Sequence, residues 1–114
     1  MTKDELHAAA LALPGATMNV QWGDDHIYKV GGKIFVGCDG AYRTLTVKAT
    51  EIAFEALTAS GRATPSRYTG RHGWITFHDL AALDAEEVRG WLKTSHDLVS
   101  ANLTKAQKNE LGLA

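Results

Sequence analysis

Several stretches of this chain have the residue types of chemistry, and spacing decides what each can do. Gly31-Gly32-Lys33 has the composition of a phosphate-binding loop. That loop needs a second glycine five positions before Gly32 and a hydroxyl residue after the lysine, where Ile27 and Ile34 stand instead. The two glycines suit a primed hairpin turn, whose central residues both take positive φ. Ser95-His96-Asp97 spells nucleophile, base and orienting acid in consecutive positions. Neighbouring residues on a helix project about 100° apart, so none can hold the next in a triad. The spacing turns Ser95 to the core and leaves His96 and Asp97 in solvent. The histidines, His7, His26, His72, His78 and His96, include no i, i+4 helical pair of the kind that grips zinc. Cys38 is the single cysteine, which excludes a disulfide framework and reads as a small core hydrophobe. Asp24-Asp25 and Glu86-Glu87 read as a solvated turn and a helix cap. No catalytic residue, metal site or cofactor is expected, and the chain is read as a non-enzyme.

The basic residues carry more. Lys29 and Lys33 flank the Gly31-Gly32 turn, Arg43 and Lys48 belong to the next strand region, and Arg62, Arg67, Tyr68 and Arg71 crowd a central loop. Cations on a β-ribbon beside such a loop can track phosphates, and Tyr68 or Tyr28 can stack on bases. A charged strand face that only keeps the protein soluble is the competing account. The net charge is −1, with acidic ends around a basic middle, so any affinity for nucleic acid is expected to be modest and salt-dependent.

The elements that must position these residues are legible from periodicity. Thr2-Lys3-Asp4-Glu5 is a capping box, Leu6, Ala9, Ala10 and Leu13 form one stripe, and Pro14-Gly15 stops a helix over about residues 3–13. From residue 17 the period becomes 2, with Met18, Val20 and Trp22 alternating against polar neighbours. Turns at Gly23-Asp24-Asp25, Gly31-Gly32 and Asp39-Gly40 divide four strands of an antiparallel meander. Thr50 caps a second helix with a stripe of Ile52, Ala53, Ala56 and Leu57. A loop follows over residues 61–72, then a short strand from Trp74 to His78. Asp84-Ala85-Glu86-Glu87 opens a long helix along Val88, Trp91, Leu92, Ser95, Leu98 and Val99, and Thr104 caps a short last one. The order α–β–β–β–β–α–β–α–(α) predicts an α+β two-layer sandwich, an antiparallel β-sheet with helices packed on one face.

The length of 114 residues predicts one domain, 1–114, and 45% apolar with 22% charged residues is globular composition. No run approaches the roughly 18 apolar residues of a membrane span. The start MTKDELHAAALAL is too acidic for a secretory signal, so a cytoplasmic monomer without membrane contact is expected.

Pro14-Gly15, Trp22-Gly23, Gly32-Lys33-Ile34-Phe35, Leu45-Thr46-Val47-Lys48, Pro65, Tyr68, Trp74-Ile75 and Ser95-His96-Asp97-Leu98-Val99 follow one another as ordered landmarks. In this the chain resembles the MmcQ/YjbR family from residue 5 to about residue 108. His96 departs from the pattern, where an aromatic such as tyrosine is expected. The resemblance implies a fold of the bacterial frataxin or secretion-chaperone type. It also implies DNA binding through a double wing of hairpins, here those around Gly31-Gly32 and Asp39-Gly40. Lys33, Lys48, Tyr68 and Trp74 occupy positions that the family pattern marks, and Trp22 and Trp74 are read as core anchors of the sheet. Two functions follow as expectations. One is a module that binds double-stranded DNA through Lys29, Lys33, Arg43, Lys48, Arg67 and Arg71. The other is a protein that binds a small anionic ligand in a pocket near Lys48, Arg67 and Tyr68. A convex stripe of cations favours the first, a concave site with few cations the second. Iron handling lacks the acidic first helix it would need, since that helix supplies only Asp4 and Glu5.

Overall fold

A computed structural model describes residues 1–113. The capping box at Thr2 and Glu5 starts α1 (Lys3–Leu11), and the left-handed Gly15 (φ +72°) turns the chain into β1 (Ala16–Gln21). β2 (Asp25–Val30), β3 (Lys33–Cys38) and β4 (Leu45–Lys48) complete the meander. Gly31 and Gly32 have φ of +58° and +79°, as the primed turn between β2 and β3 requires. α2 (Glu51–Ala59) is capped by Thr50. The expected loop contains a two-residue strand, β5 (Thr64–Pro65), and one turn of 3₁₀ helix before β6 (Trp74–Phe77). Proline hides β5 from a sequence reading, and it is tolerated because β5 is an edge. α3 (Ala85–Ser100) and α4 (Lys105–Glu110) follow.

The six strands form one antiparallel sheet in the order β1-β2-β3-β4-β6-β5. α1 and α3 lie against each other and the sheet, while α2 packs at its β5–β6 end. The result is the expected α+β sandwich. Alternation sends Tyr28, Val36, Val47 and Ile75 to the helix face, where they are fully or almost fully buried. A bulge at Phe35 shifts the β2–β3 register, so Phe35 and Val36 both enter the core. Ser95 ties α3 to the sheet, donating to the Phe35 carbonyl at 2.6 Å and accepting from the Lys48 amide at 2.9 Å.

Expectations fail at several positions, among them Val20, exposed on the edge strand β1, and Ala56, exposed on α2. His96 is 3% exposed, not solvated. α3 touches both the sheet and the α1 side, so its buried sector is wider than an apolar stripe; His96 bonds the Pro14 carbonyl at 2.7 Å and meets Phe35 edge-on. Ile52 is 84% exposed, because α2 packs mainly at the sheet end and buries Leu57 with flanking Ala53 and Phe54. Trp22 is 69% exposed rather than a core anchor. It belongs to the β1–β2 turn with φ +51°, a conformation bulky side chains rarely adopt. Among the described residues no helix is long and apolar enough to cross a membrane.

Candidate functional site

The sheet face opposite α1 and α3 carries the candidate site. Register places Asn19, Ile27, Gly37, Thr46, Thr76 and Thr64 side by side in one row across all six strands. In its centre Gly37 adds no side chain, and the floor sinks there. A Cβ at Gly37 would meet only Ile27 Cδ1 at 3.6 Å and Thr46 Cβ at 4.0 Å, which is ordinary contact. Its φ is not left-handed either. Neither backbone conformation nor close packing demands this glycine, although glycine weakens a strand.

The loop after β5 folds over the row. Ser66 and Trp74 pair through their backbones at 2.9 Å, and Gly70 caps Ser66 at 2.8 Å. Gly70 is needed there, since a Cβ would lie 2.8 Å from Pro65 Cβ. Between this loop and the β1–β2 turn lies a groove of about 430 Å³, floored by Ile27, Gly37 and Thr46. Trp74 and Ile34 line its walls, and Trp22 and Tyr68 border it from the two loops. Tyr68 is 81% exposed, and the Arg67 guanidinium stands 5.5 Å above its ring. Asp25 and Asp39 also line the groove. Asp39 Oδ1 accepts from the backbone amides of Arg43 at 2.6 Å and Thr44 at 3.1 Å, holding the β3–β4 loop in shape.

Of the trio expected to form a pocket, Arg67 and Tyr68 meet in this groove. Lys48 lies instead in a neighbouring crevice with Arg71, beside the start of α2. The six cations read as DNA contacts are dispersed. Lys33 adjoins the turn that precedes β3 and Arg43 the loop that follows it, so the two proposed wings stand at opposite ends of one strand. All six are outside ion pairs among the described residues, whereas Arg62, Arg89 and Lys93 are matched by Glu87, Glu86 and Asp97. Trp74 is half-buried and serves both the core and the groove. Trp22, Ile27, Gly37 and Asp25 also line the groove and were not candidate site residues from the sequence; the Trp22-Gly23-Asp24 turn was the available signal.

A second polar feature runs beneath the helix face. His7 Nδ1 bonds the Tyr28 hydroxyl at 2.8 Å, Tyr28 bonds the Tyr42 hydroxyl at 2.8 Å, and Tyr42 bonds His26 Nδ1 at 2.7 Å. Burial is the main cause that raises the pKa of both phenols. The Ser95-His96-Asp97 side chains diverge: Asp97 pairs with Lys93 at 2.8 Å and stands 4.0 Å from His96 Nδ1. Cys38 is buried and its thiol is pushed up to about 12, chiefly by desolvation. No group of three or more histidine, cysteine or carboxylate side chains is placed to hold a metal among the described residues.

The architecture is therefore a six-stranded sheet covered by helices on one face, with an aromatic-bordered groove on the other. The YjbR family model matches residues 11–98, and the chain belongs to that family. It is similar in fold to the crystal structure of Deinococcus radiodurans protein DR2400, which carries the family-model domain DUF419. The TM-score is 0.86 at 24% identity, over 99% of this chain and 89% of that one. No curated protein matches the chain.

Proposed function

We propose that this protein is a non-enzymatic binding domain that takes a small organic molecule in the groove on the open sheet face. The observation that carries this reading is the sunken floor at Gly37 between two exposed aromatic rings, Trp22 and Tyr68. The volume of about 430 Å³ lies in the range of small-molecule sites. Arg67 is the one cation lining the groove beside the carboxylates of Asp25 and Asp39, so the groove itself has room for a single phosphate group at most. The state of two candidate nucleophiles supports binding over catalysis: burial holds the Cys38 thiol protonated, and the Ser95 hydroxyl is committed to the backbone. The test is a screen of small aromatic fragments by amide chemical shifts in ¹⁵N-labelled protein. Fragments that move Ile27, Gly37, Thr46 and Trp74 together support the reading; hits that avoid this row overturn it.

One observation favours duplex DNA as a second reading. Lys29, Lys33, Arg43, Lys48, Arg67 and Arg71 carry charge that no described acidic side chain neutralises in an ion pair. Such cations are available to phosphates. Fluorescence anisotropy of a labelled random duplex tests it. Saturable binding that weakens with salt supports it, and no binding at low salt removes it.

A further inference from the structure

We propose that the ligand of this groove is a guanine nucleotide, with the base lying on the Gly37 floor between Trp22 and Tyr68 and its phosphate at Arg67. The proposal rests on the groove being a small-molecule site and names what fills it.

Shape gives the first part. The floor is strand backbone at Gly37 between the Ile27 and Thr46 side chains, a recess that a planar ring can cover. The rims are aromatic side chains on separate loops, and π-faces stack on any flat heterocycle. Trp22 holds a left-handed backbone conformation with most of its surface in water. Such strain at an exposed aromatic is typical of a ligand clamp.

The polar groups select among flat molecules. Asp39 has one oxygen occupied by two backbone amides, and Asp25 has no hydrogen bond to a described residue through its side chain. Carboxylates awaiting donors call for a ligand edge rich in N–H. Guanine presents two adjacent donors, N1–H and the 2-amino group, matched to the two oxygens of one carboxylate. Adenine places a bare ring nitrogen there, cytosine does the same, and uracil flanks its single N–H with two carbonyls. An organic cation would also suit aromatics beside carboxylates. Here the Arg67 guanidinium already stands 5.5 Å over the Tyr68 ring, which repels a second cation and leaves its own N–H groups for a phosphate. A duplex pairs the donor edge of guanine internally, so only a free nucleotide or an unpaired guanine in a single strand offers the required chemistry.

The experiment titrates GMP, AMP, inorganic phosphate, choline and a short guanine-containing single strand into the ¹⁵N-labelled protein, read by amide shifts and tryptophan fluorescence. GMP should move the Ile27, Gly37 and Thr46 amides and quench fluorescence, with AMP weaker by about tenfold or more because a carboxylate loses its donors. A single strand much tighter than GMP identifies unpaired nucleic acid as the source; equal affinity identifies the free nucleotide. Gly37→Leu should abolish binding, Asp25→Asn should erase the preference for GMP over AMP, and Trp22→Ala should weaken both. Asp25→Asn and Trp22→Ala keep the test open if Gly37→Leu does not fold. Equal binding of GMP and AMP, a preference for choline, or phosphate alone reproducing the GMP shifts overturns the proposal. If aromatic fragments occupy the groove while GMP does not, the ligand class is wrong and the groove stands. If neither binds, both readings fall.

Discussion

His7, Tyr28, Tyr42 and His26 form a chain in which proton counting is decisive. Each of the three hydrogen bonds needs one proton. The phenols supply two, since burial keeps both protonated. The third must come from Nδ1–H of one histidine, which obliges the other to accept at Nδ1. With both rings neutral, long-range ¹H–¹⁵N spectra should therefore show His7 and His26 as opposite tautomers; two Nε2–H rings would contradict the geometry. Tyr42→Phe removes two bonds and strands buried polar atoms, so it should lower stability by about 1–3 kcal/mol in denaturant unfolding. Cys38 supplies a pH prediction. Its folded pKa is raised from 9.0 to about 12, so its contribution is complete below the unfolded value and is lost as pH rises through that window. Tyr28 and Tyr42 are raised as well and act in the same direction. Stability should fall steadily above pH 9, and Cys38→Ala should make the fall shallower; an unchanged slope would show that the thiol is not buried in solution.

At the scale of elements, most of the fold was legible because local signals agreed with tertiary ones. The capping residues Thr2, Thr50, Asp84 and Thr104 all accept a first-turn amide. The hairpin glycines differ in a way no local pattern reveals. A Cβ at Gly31 would lie 2.6 Å from Leu103 Cδ2, while Gly32 faces open space. Both substitutions to alanine force a left-handed residue, worth about 1–2 kcal/mol. Gly31→Ala should cost about 1 kcal/mol more than Gly32→Ala, because Leu103 must move; equal losses would place Leu103 elsewhere. His96 and Ile52 were misread for one reason. Each depends on how many neighbours a helix has, and periodicity reports only that one face is apolar. Trp22 was misread because β1 ends at Gln21, which leaves Trp22 in the turn.

Across the whole molecule, the groove was half legible. Arg67 and Tyr68 are close in sequence and stood out as a pair. Gly37 and Ile27 become site residues only through strand register, which aligns β2, β3, β4 and β6 into one row. The dispersal of cations has the same origin, since antiparallel pairing carries successive turns to opposite ends of the sheet. A duplex touching both Lys33 and Arg43 would have to run along β3, roughly 20 Å for its six residues. Engagement of all six cations predicts a salt slope of about −5 in log K against log salt, and Lys33→Ala/Arg43→Ala should reduce its magnitude by about 2. A flat salt response would remove the DNA reading and leave the groove untouched. If the proposed function holds, the unfilled space at Gly37 is where the ligand sits. The most direct measurement is the aromatic-fragment screen run in parallel on the parent protein and Gly37→Leu. Hits clustered on Ile27, Thr46 and Trp74 should vanish in the variant, whose unfolding transition is unchanged. Hits that persist in a folded Gly37→Leu protein would contradict that placement.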